Sequence, residues 1–298
     1  MNNNRIVILA SYNPEEFIIE QIDSIRNQNI STIAIYDDAS SPSQLQFLES
    51  VIEKHQKQIE LLKRRNNVGV VKNFIEAIED NAEAFDQFFL SDQDDIWLPN
   101  KVEMVSSALN YHKKPTLVYH DAQIINEKGK ILYPSFWEFL NQGHYEHRLD
   151  TFLYGNFVTG GACAFNRALA PYIIRMPEGL HSLHDAWVAL CGFCFGQVVK
   201  INEKLNLYRM HQNNVALTRK VPLTRIEKFS NAISHLFDTN FLSEELELAE
   251  AFMNTFKNEI PNEQRRTLEA FVLLKRKPSF MKMLHKRKTL KKYSASRS

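Results

Sequence analysis

A chain of 298 residues with 44% hydrophobic content can bury a large core, enough for one sizeable domain and an appendage. Its formal charge of +1 excludes the broad positive field of a nucleic-acid binder, and three cysteines (Cys163, Cys191, Cys194) are too few for a disulfide framework. No run approaches the ~20 apolar residues of a membrane span, and Ile6 to Ala10 is too short for a signal-peptide core, so a soluble or peripheral protein in a reducing compartment is expected.

Arg5 to Ala10 is a short, continuous apolar run rich in β-branched residues, the pattern of a buried strand, and it stops at Ser11-Tyr12-Asn13-Pro14. Phe17, Ile18, Ile22 and Ile25 then recur at helical spacing. Thr32 to Tyr36 reads as a second strand ending in Asp37 and Asp38, followed by a helix from Ser43 to Gln58. Ile59 to Leu62 is a weaker strand, and Asn66-Asn67-Val68-Gly69 turns into a helix through Lys72 and Asn73. Phe88 to Leu90 is a fourth strand, and it empties into Asp92, Asp94 and Asp95 before Pro99 starts the next helix, Lys101 to Tyr111. Strand and helix alternating in this way predict a parallel, doubly wound sheet. Such sheets bind ligands outside the carboxyl ends of their strands, where Ser11, Asn13, Asp37, Asp38, Asp92, Asp94 and Asp95 would collect. Three crowded carboxylates read either as a solvated acidic turn or as a seat for a hard divalent cation.

Thr116 to Asp121 is a further strand, and Asn126 to Lys130 a turn. Gly155 to Phe165 reads as a glycine-punctuated strand, in which Gly160 and Gly161 mark either a bulge or the close approach of a ligand. His184-Asp185-Ala186-Trp187 opens a helix, with Asp185 in or beside its first turn, where a carboxylate serves as a cap. His181 and His184 lack a third ligand and the H-E-x-x-H signature, which argues against zinc. Cys191 and Cys194 sit in an apolar run without a second pair and read as buried, inert thiols. Gln197 to Tyr208 supplies the last strand, ending in Arg209-Met210-His211. From about Arg219 the pattern is helical, over Phe241 to Phe256 and Glu263 to Lys275. No acidic residue follows Glu269, and Phe280, Met281, Met283, Leu284 and Leu290 interleave with lysines and arginines. That tail reads as a contact with anionic lipid or as a solvated basic segment.

Taken together, Ala-Ser-Tyr-Asn-Pro at 10–14, Tyr-Asp-Asp-Ala-Ser at 36–40, Asn-Val-Gly-Val-Val-Lys-Asn-Phe at 67–74 and Ser-Asp-Gln-Asp-Asp-Ile-Trp-Leu-Pro-Asn-Lys at 91–101 form an ordered set with His-Asp-Ala-Trp at 184–187 and Tyr-Arg-Met-His-Gln-Asn-Asn at 208–214. The set resembles the family 2 glycosyltransferases of the GT-A fold, in particular bacterial rhamnosyltransferase-like enzymes of O-antigen and capsule synthesis. The resemblance implies a GT-A, Rossmann-like, mostly parallel sheet with helices on both faces in residues 1–218, and a helical, basic extension in 219–298. It implies inverting transfer of a sugar from a dTDP or UDP carrier to a hydroxyl of a lipid-linked saccharide, with Mg²⁺ or Mn²⁺.

On the same resemblance Asp185 is the catalytic base. Ser11, Tyr12, Asn13, Asp37, Asp38, Lys72, Asn73 and Asp92 bind the nucleotide. Asp92, Asp94, Asp95 and His211 hold the metal, and Gly160, Gly161, His184, Trp187 and Arg209 line the acceptor and diphosphate loop. The Gln-x-x-Arg-Trp motif and spans of processive members are missing, which points to single additions by a cytoplasmic enzyme, peripheral on the inner membrane face. The alternatives are an inactive nucleotide-sugar or glycan-binding module and a sugar-1-phosphate nucleotidyltransferase; the latter would need a glycine-rich loop where Ser11 to Pro14 stands.

Overall fold

The computed structural model describes residues 4–54, 59–110, 114–211 and 240–294. Tyr111, Gln212 to Asn214 and the expected boundary at 218 lie outside the described residues. The first half alternates strand and helix as the sequence predicts: β1 (Arg5–Ser11), α1 (Phe17–Arg26), β2 (Thr32–Asp37), α2 (Pro42–Glu53), β3 (Ile59–Lys63), α3 (Val70–Asn81) and β4 (Gln87–Ser91). After the short β5 (Ile96–Trp97) come α4 (Lys101–Asn110), β6 (Thr116–Asn126) and β7 (Ile131–Tyr133). The short helices α5 (Phe136–Phe139) and α6 (Leu149–Phe152) lead to β8 (Cys163–Asn166) and α7 (Ala170–Ile173). Helix α8 (His184–Phe195) and β9 (Gln197–Met210) complete the sheet region, and α9 (Ser243–Phe256), α10 (Asn262–Val272) and α11 (Ser279–Lys292) follow.

The sheet runs β3-β2-β1-β4-β8-β6-β9-β5, with β7 paired to β6. β3, β2, β1 and β4 are parallel neighbours. β8 then runs antiparallel to both β4 and β6, so the second half is mixed, although β6 and β9 are parallel over a long ladder. The reversal has a local cause. The Gly160–Ala162 turn breaks the expected 155–165 strand, and only Cys163–Asn166 enters the sheet.

Side chains alternate across a strand, and here the alternation divides the core into two layers. Ile6, Ile8, Ala34, Tyr36, Phe88 and Leu90 face one layer; Val7, Leu9, Ile33, Ile35 and Phe89 face the other. The second layer is closed by α1, α2 and α4. The first is closed by α3 and α8 and, unexpectedly for an appendage, by α9 and α10, whose Leu246, Ala249, Phe252, Phe256, Leu268 and Phe271 belong to the same core. Burying a large apolar side chain stabilises by roughly 1.5–3 kcal/mol, so these helices are held to the sheet by the hydrophobic effect. All three cysteines are buried and unpaired. Among the described residues no helix is long and apolar enough to cross a membrane.

Candidate active site

The rim at the carboxyl ends of β1, β2 and β4 is tied together by side chains the sequence placed there. The Asp37 carboxylate accepts hydrogen bonds from the Ser40 backbone N–H (3.0 Å) and hydroxyl (2.5 Å), folding the 37–40 loop on itself. Asp38 accepts from the backbone N–H groups of Val68 and Gly69, each at 2.8 Å. That clamp needs Gly69 at φ +84°, a backbone conformation that side chains disfavour. Asn13, also at positive φ, takes a bond from its own N–H to the Ser40 hydroxyl and accepts the Ser41 N–H (2.8 Å each). Gln93, absent from the sequence-derived site, holds Tyr12 at both backbone groups: its carbonyl accepts the Tyr12 N–H (3.0 Å) and its amide donates to the Tyr12 carbonyl (3.2 Å). The Tyr12 ring is thereby left half exposed at the cleft mouth, and Ser11 keeps a buried hydroxyl with no partner among the described residues.

The acidic end is differently built. Asp92 is pushed up to about 7, first by burial and then by the charges of Asp94 and Asp185. The charge of Asp185 acts on Asp92 although 93 positions separate them in sequence, and the Gly160-Gly161 pair, against His184 on one side and Asp92 on the other, joins the two segments. Asp94 and His211 meet at 2.6 Å, and the imidazole is shifted upward mainly by that bond. Beneath them, the buried Lys101 ammonium donates to the Gly161 carbonyl (2.6 Å) and the Asn206 side-chain oxygen (3.1 Å), and lies 3.8 Å from the Trp97 ring centre. Burial lowers it to about 7 against the opposing pull of Asp95 and Asp92. Gly161 leaves no room for a side chain: a Cβ would stand 2.8 Å from an Asp95 oxygen and 3.2 Å from an Asp92 oxygen. At Gly160 a Cβ would meet the His184 ring at 2.7 Å. His184 itself is buried, stacked on Phe74 at 4.0 Å, with neither ring nitrogen bonded among the described residues, and burial lowers it to about 3.

Five expected site residues have other surroundings. Trp187 is fully buried, donates its indole N–H to the Ile173 carbonyl (3.0 Å) and packs on Phe252 and Phe256, away from any cleft. Arg209 is also buried. Its guanidinium donates to the carbonyls of Asp94 and Glu127 (2.9 Å each) and to the Glu20 carboxylate, and stacks over Phe17, so it braces the acidic loop. Asn73 spends its amide on the Tyr36 carbonyl (2.8 Å) and on Arg64 (2.6 Å) inside the fold. Asp95 accepts the Asn206 amide (3.0 Å) and the Arg209 N–H (3.2 Å), which locks it to β9 and makes it a poor metal ligand. Lys72 is exposed and ion-paired with Glu178 at 2.6 Å.

Asp94 and His211 are left as the pair best placed to hold a cation. Among the described residues no group of three or more such side chains could do so. The Asp94 carboxylate nonetheless fits Mn²⁺ or Mg²⁺ when a diphosphate completes the shell, since such ions are held by few protein ligands plus phosphate oxygens, and the His211 nitrogen suits Mn²⁺ better than the harder Mg²⁺.

The model of the family described as "Glycosyl transferase family 2" matches residues 6–172. A dTDP-rhamnosyl transferase, RfbG of Shigella flexneri, is 32% identical over 131 residues, 43% of this chain and 43% of that protein. An uncharacterized glycosyltransferase of Haemophilus influenzae is 32% identical over 126 residues, 41% of this chain and 38% of that one. The matched stretch is thus about two fifths of each relative's length. Among solved structures, S. aureus TarS 1–349 in complex with UDP-GlcNAc superposes with a TM-score of 0.56 at 15% identity, over 90% of this chain and 79% of that one. The mannosyltransferase PcManGT of Pyrobaculum calidifontis, in complex with GDP-Man and Mn²⁺, gives 0.56 at 14% identity, over 97% and 85%. At such identities the structural likeness establishes the fold.

Proposed function

The chain belongs to glycosyl transferase family 2, and from that premise we propose that it is an inverting, metal-dependent transferase acting on a dTDP- or UDP-sugar. Rhamnose is the sugar we favour, because the dTDP-rhamnosyl transferase of Shigella flexneri is 32% identical over the matched stretch. The acceptor in this reading is a hydroxyl of a lipid-linked saccharide in surface-polysaccharide synthesis. What supports the reading is that the charge of Asp185 acts on Asp92, while the adjacent Gly160 and Gly161 stand against His184 and Asp92 respectively.

The chemistry follows from that spacing of roles. The carboxylate of Asp185 takes the proton of the acceptor hydroxyl as its oxygen forms a bond to the anomeric carbon. The bond from that carbon to the diphosphate oxygen breaks on the opposite face, which inverts the centre. Asp94 and His211 would hold the cation, and when bound it would neutralise charge growing on the diphosphate. Asp92 would reach the ribose, and Ser11, Tyr12 and Asp38 would frame the base. Asp185 lies in the first turn of α8, where the helix dipole favours a carboxylate.

The reading extends to the tail. Leu273, Phe280, Met281 and Leu284 are exposed beside Lys275, Arg276, Lys277, Arg287, Lys288 and Lys291, a surface suited to anionic lipid. Sedimentation with phosphatidylglycerol vesicles, lost in Phe280→Glu with Leu284→Glu, tests it; equal sedimentation of the variant rejects it. The test of the chemistry is Asp185→Asn. Transfer from a panel of dTDP- and UDP-sugars should fall by about 10²–10⁴-fold with nucleotide affinity kept. A variant that turns over near the normal rate removes Asp185 from the base role.

A further inference from the structure

Lys101 is a buried cation that the chemistry above leaves without work. It is the first residue of α4 and 1% exposed. The antiparallel pairing of β5 with β9 sets Trp97 opposite Asn206, and the ammonium lies over the Trp97 ring, 3.8 Å from its centre. There it donates to the Gly161 carbonyl at 2.6 Å and to the Asn206 side-chain oxygen at 3.1 Å. Both acceptors border the acidic loop. Asn206 donates its amide to one Asp95 oxygen (3.0 Å), and the other Asp95 oxygen accepts the Arg209 backbone N–H (3.2 Å). Gly161 stands so close to the Asp92 and Asp95 carboxylates that no side chain fits between them.

The direction of these bonds decides what they do. An ammonium has donors and no acceptor, whereas a carboxamide has an oxygen that accepts and an NH₂ group that donates. Lys101 therefore obliges Asn206 to turn its oxygen inward and its NH₂ group toward Asp95. We propose that Lys101 is a positioning residue that divides the work of the acidic loop. Through Asn206 it commits Asp95 to the fold, and through Gly161 it fixes the wall against which Asp92 stands. Asp92 and Asp94 are thereby kept in the places from which they meet a metal-bound diphosphate. A buried ammonium is costly unless its donors are satisfied, so Lys101, Asn206 and Gly161 hold one another as a unit. The role rests on the transferase reading above, and in it Lys101 touches neither substrate nor metal.

Lys101→Met keeps an unbranched chain of similar length and removes every donor. Groups behind metal-binding side chains tune affinity and activity by about 10–100-fold, and kcat and Mn²⁺-dependent UDP affinity in calorimetry should fall by that much. UDP affinity in EDTA should stay as in the wild type, because Asp38 and its clamp are built separately. An exchange variant guards against simple loss of the fold. Asn206→Asp or Asp95→Asn alone sets two acceptors or two donors face to face, and each should lose about 10–100-fold in Mn²⁺-dependent binding. Made together they restore every bond with its direction reversed between positions 95 and 206, and binding and transfer should return to within a few-fold of wild type. Wild-type kcat and Mn²⁺-dependent affinity in folded Lys101→Met overturn the role. So does equal loss of UDP binding with Mn²⁺ and in EDTA. An exchange variant as weak as Asp95→Asn alone makes Asp95 a ligand and overturns the division of work. A wild-type protein that binds no nucleoside diphosphate overturns the transferase reading and this role with it, whereas tight wild-type binding matched by Lys101→Met overturns the Lys101 role alone.

Discussion

Asp37 and Asp38 at one end of the cleft, and Asp92, Asp94 and Asp95 at the other, are the same residue type on the same rim, yet they do opposite things. The first pair is saturated: four donors, the Ser40 hydroxyl and the backbone N–H groups of Ser40, Val68 and Gly69, meet four carboxylate oxygens. The second group is crowded, with burial and mutual repulsion raising Asp92 and Asp95. Carboxylates of the first kind shape a pocket without needing a ligand. Those of the second kind store a repulsion that a cation and its diphosphate would relieve. The first end is thus pre-formed and the second is left electrostatically unfinished; in the proposed reading these are the nucleotide end and the reacting end.

The contrast can be broken from either side. The largest effect is expected from Gly161→Ala, whose new methyl group must displace the Asp92 and Asp95 carboxylates it would touch. Transfer should fall about 100-fold, as misplacement by an ångström does; retained activity would mean that the acidic end is more forgiving than its packing. Asp94→Ala should weaken Mn²⁺-dependent nucleotide binding by about 10–100-fold, with EDTA abolishing the difference from wild type in calorimetry. At the saturated end, Asp38→Ala leaves two backbone N–H groups without their acceptor. It should cost about 2–4 kcal/mol in denaturant unfolding, an effect that Asp94→Ala should not share.

The smallest effect is also the most diagnostic. Asp92 has a folded value of about 7 against an ordinary 3.8. Its contribution to stability is therefore fully present below about pH 4, and is lost as pH rises through about 7. Asp92→Asn should raise the melting temperature of the ligand-free protein by about 2–4 °C at pH 8 and leave it unchanged at pH 4. A destabilised variant at pH 8 would show that Asp92 belongs with the saturated pair.

Much of this was legible before any coordinates. Apolar runs that end in carboxylates located β1, β2 and β4 and the rim they share, because buried strands and polar strand ends are local signals. The long-range partners were not legible. Nothing in the sequence says that Gln93 reaches back to Tyr12, that Lys101 lies under Gly161, or that Asn206 bonds Asp95, since each pairing depends on how the sheet closes. Trp187 is a different case. A residue two positions after Asp185 lies about 200° around a helix from it, so if the aspartate faces the cleft the tryptophan faces the core. Helical geometry could have predicted that inward position, and motif membership obscured it. The reversal at β8 was hidden for a third reason: a glycine pair reads equally as strand or as turn.

The packing of Trp187 on Phe252 and Phe256, 5.1 and 5.8 Å between ring centres, has a practical side. Anyone trimming this protein to a minimal catalyst by stopping after the last strand would strip the hydrophobic cover from the back of the very helix that presents Asp185. The helices that follow the sheet act as its rear wall, and a shortened version is better designed by thinning the lysine-rich surface of α11 than by cutting α9 and α10 away.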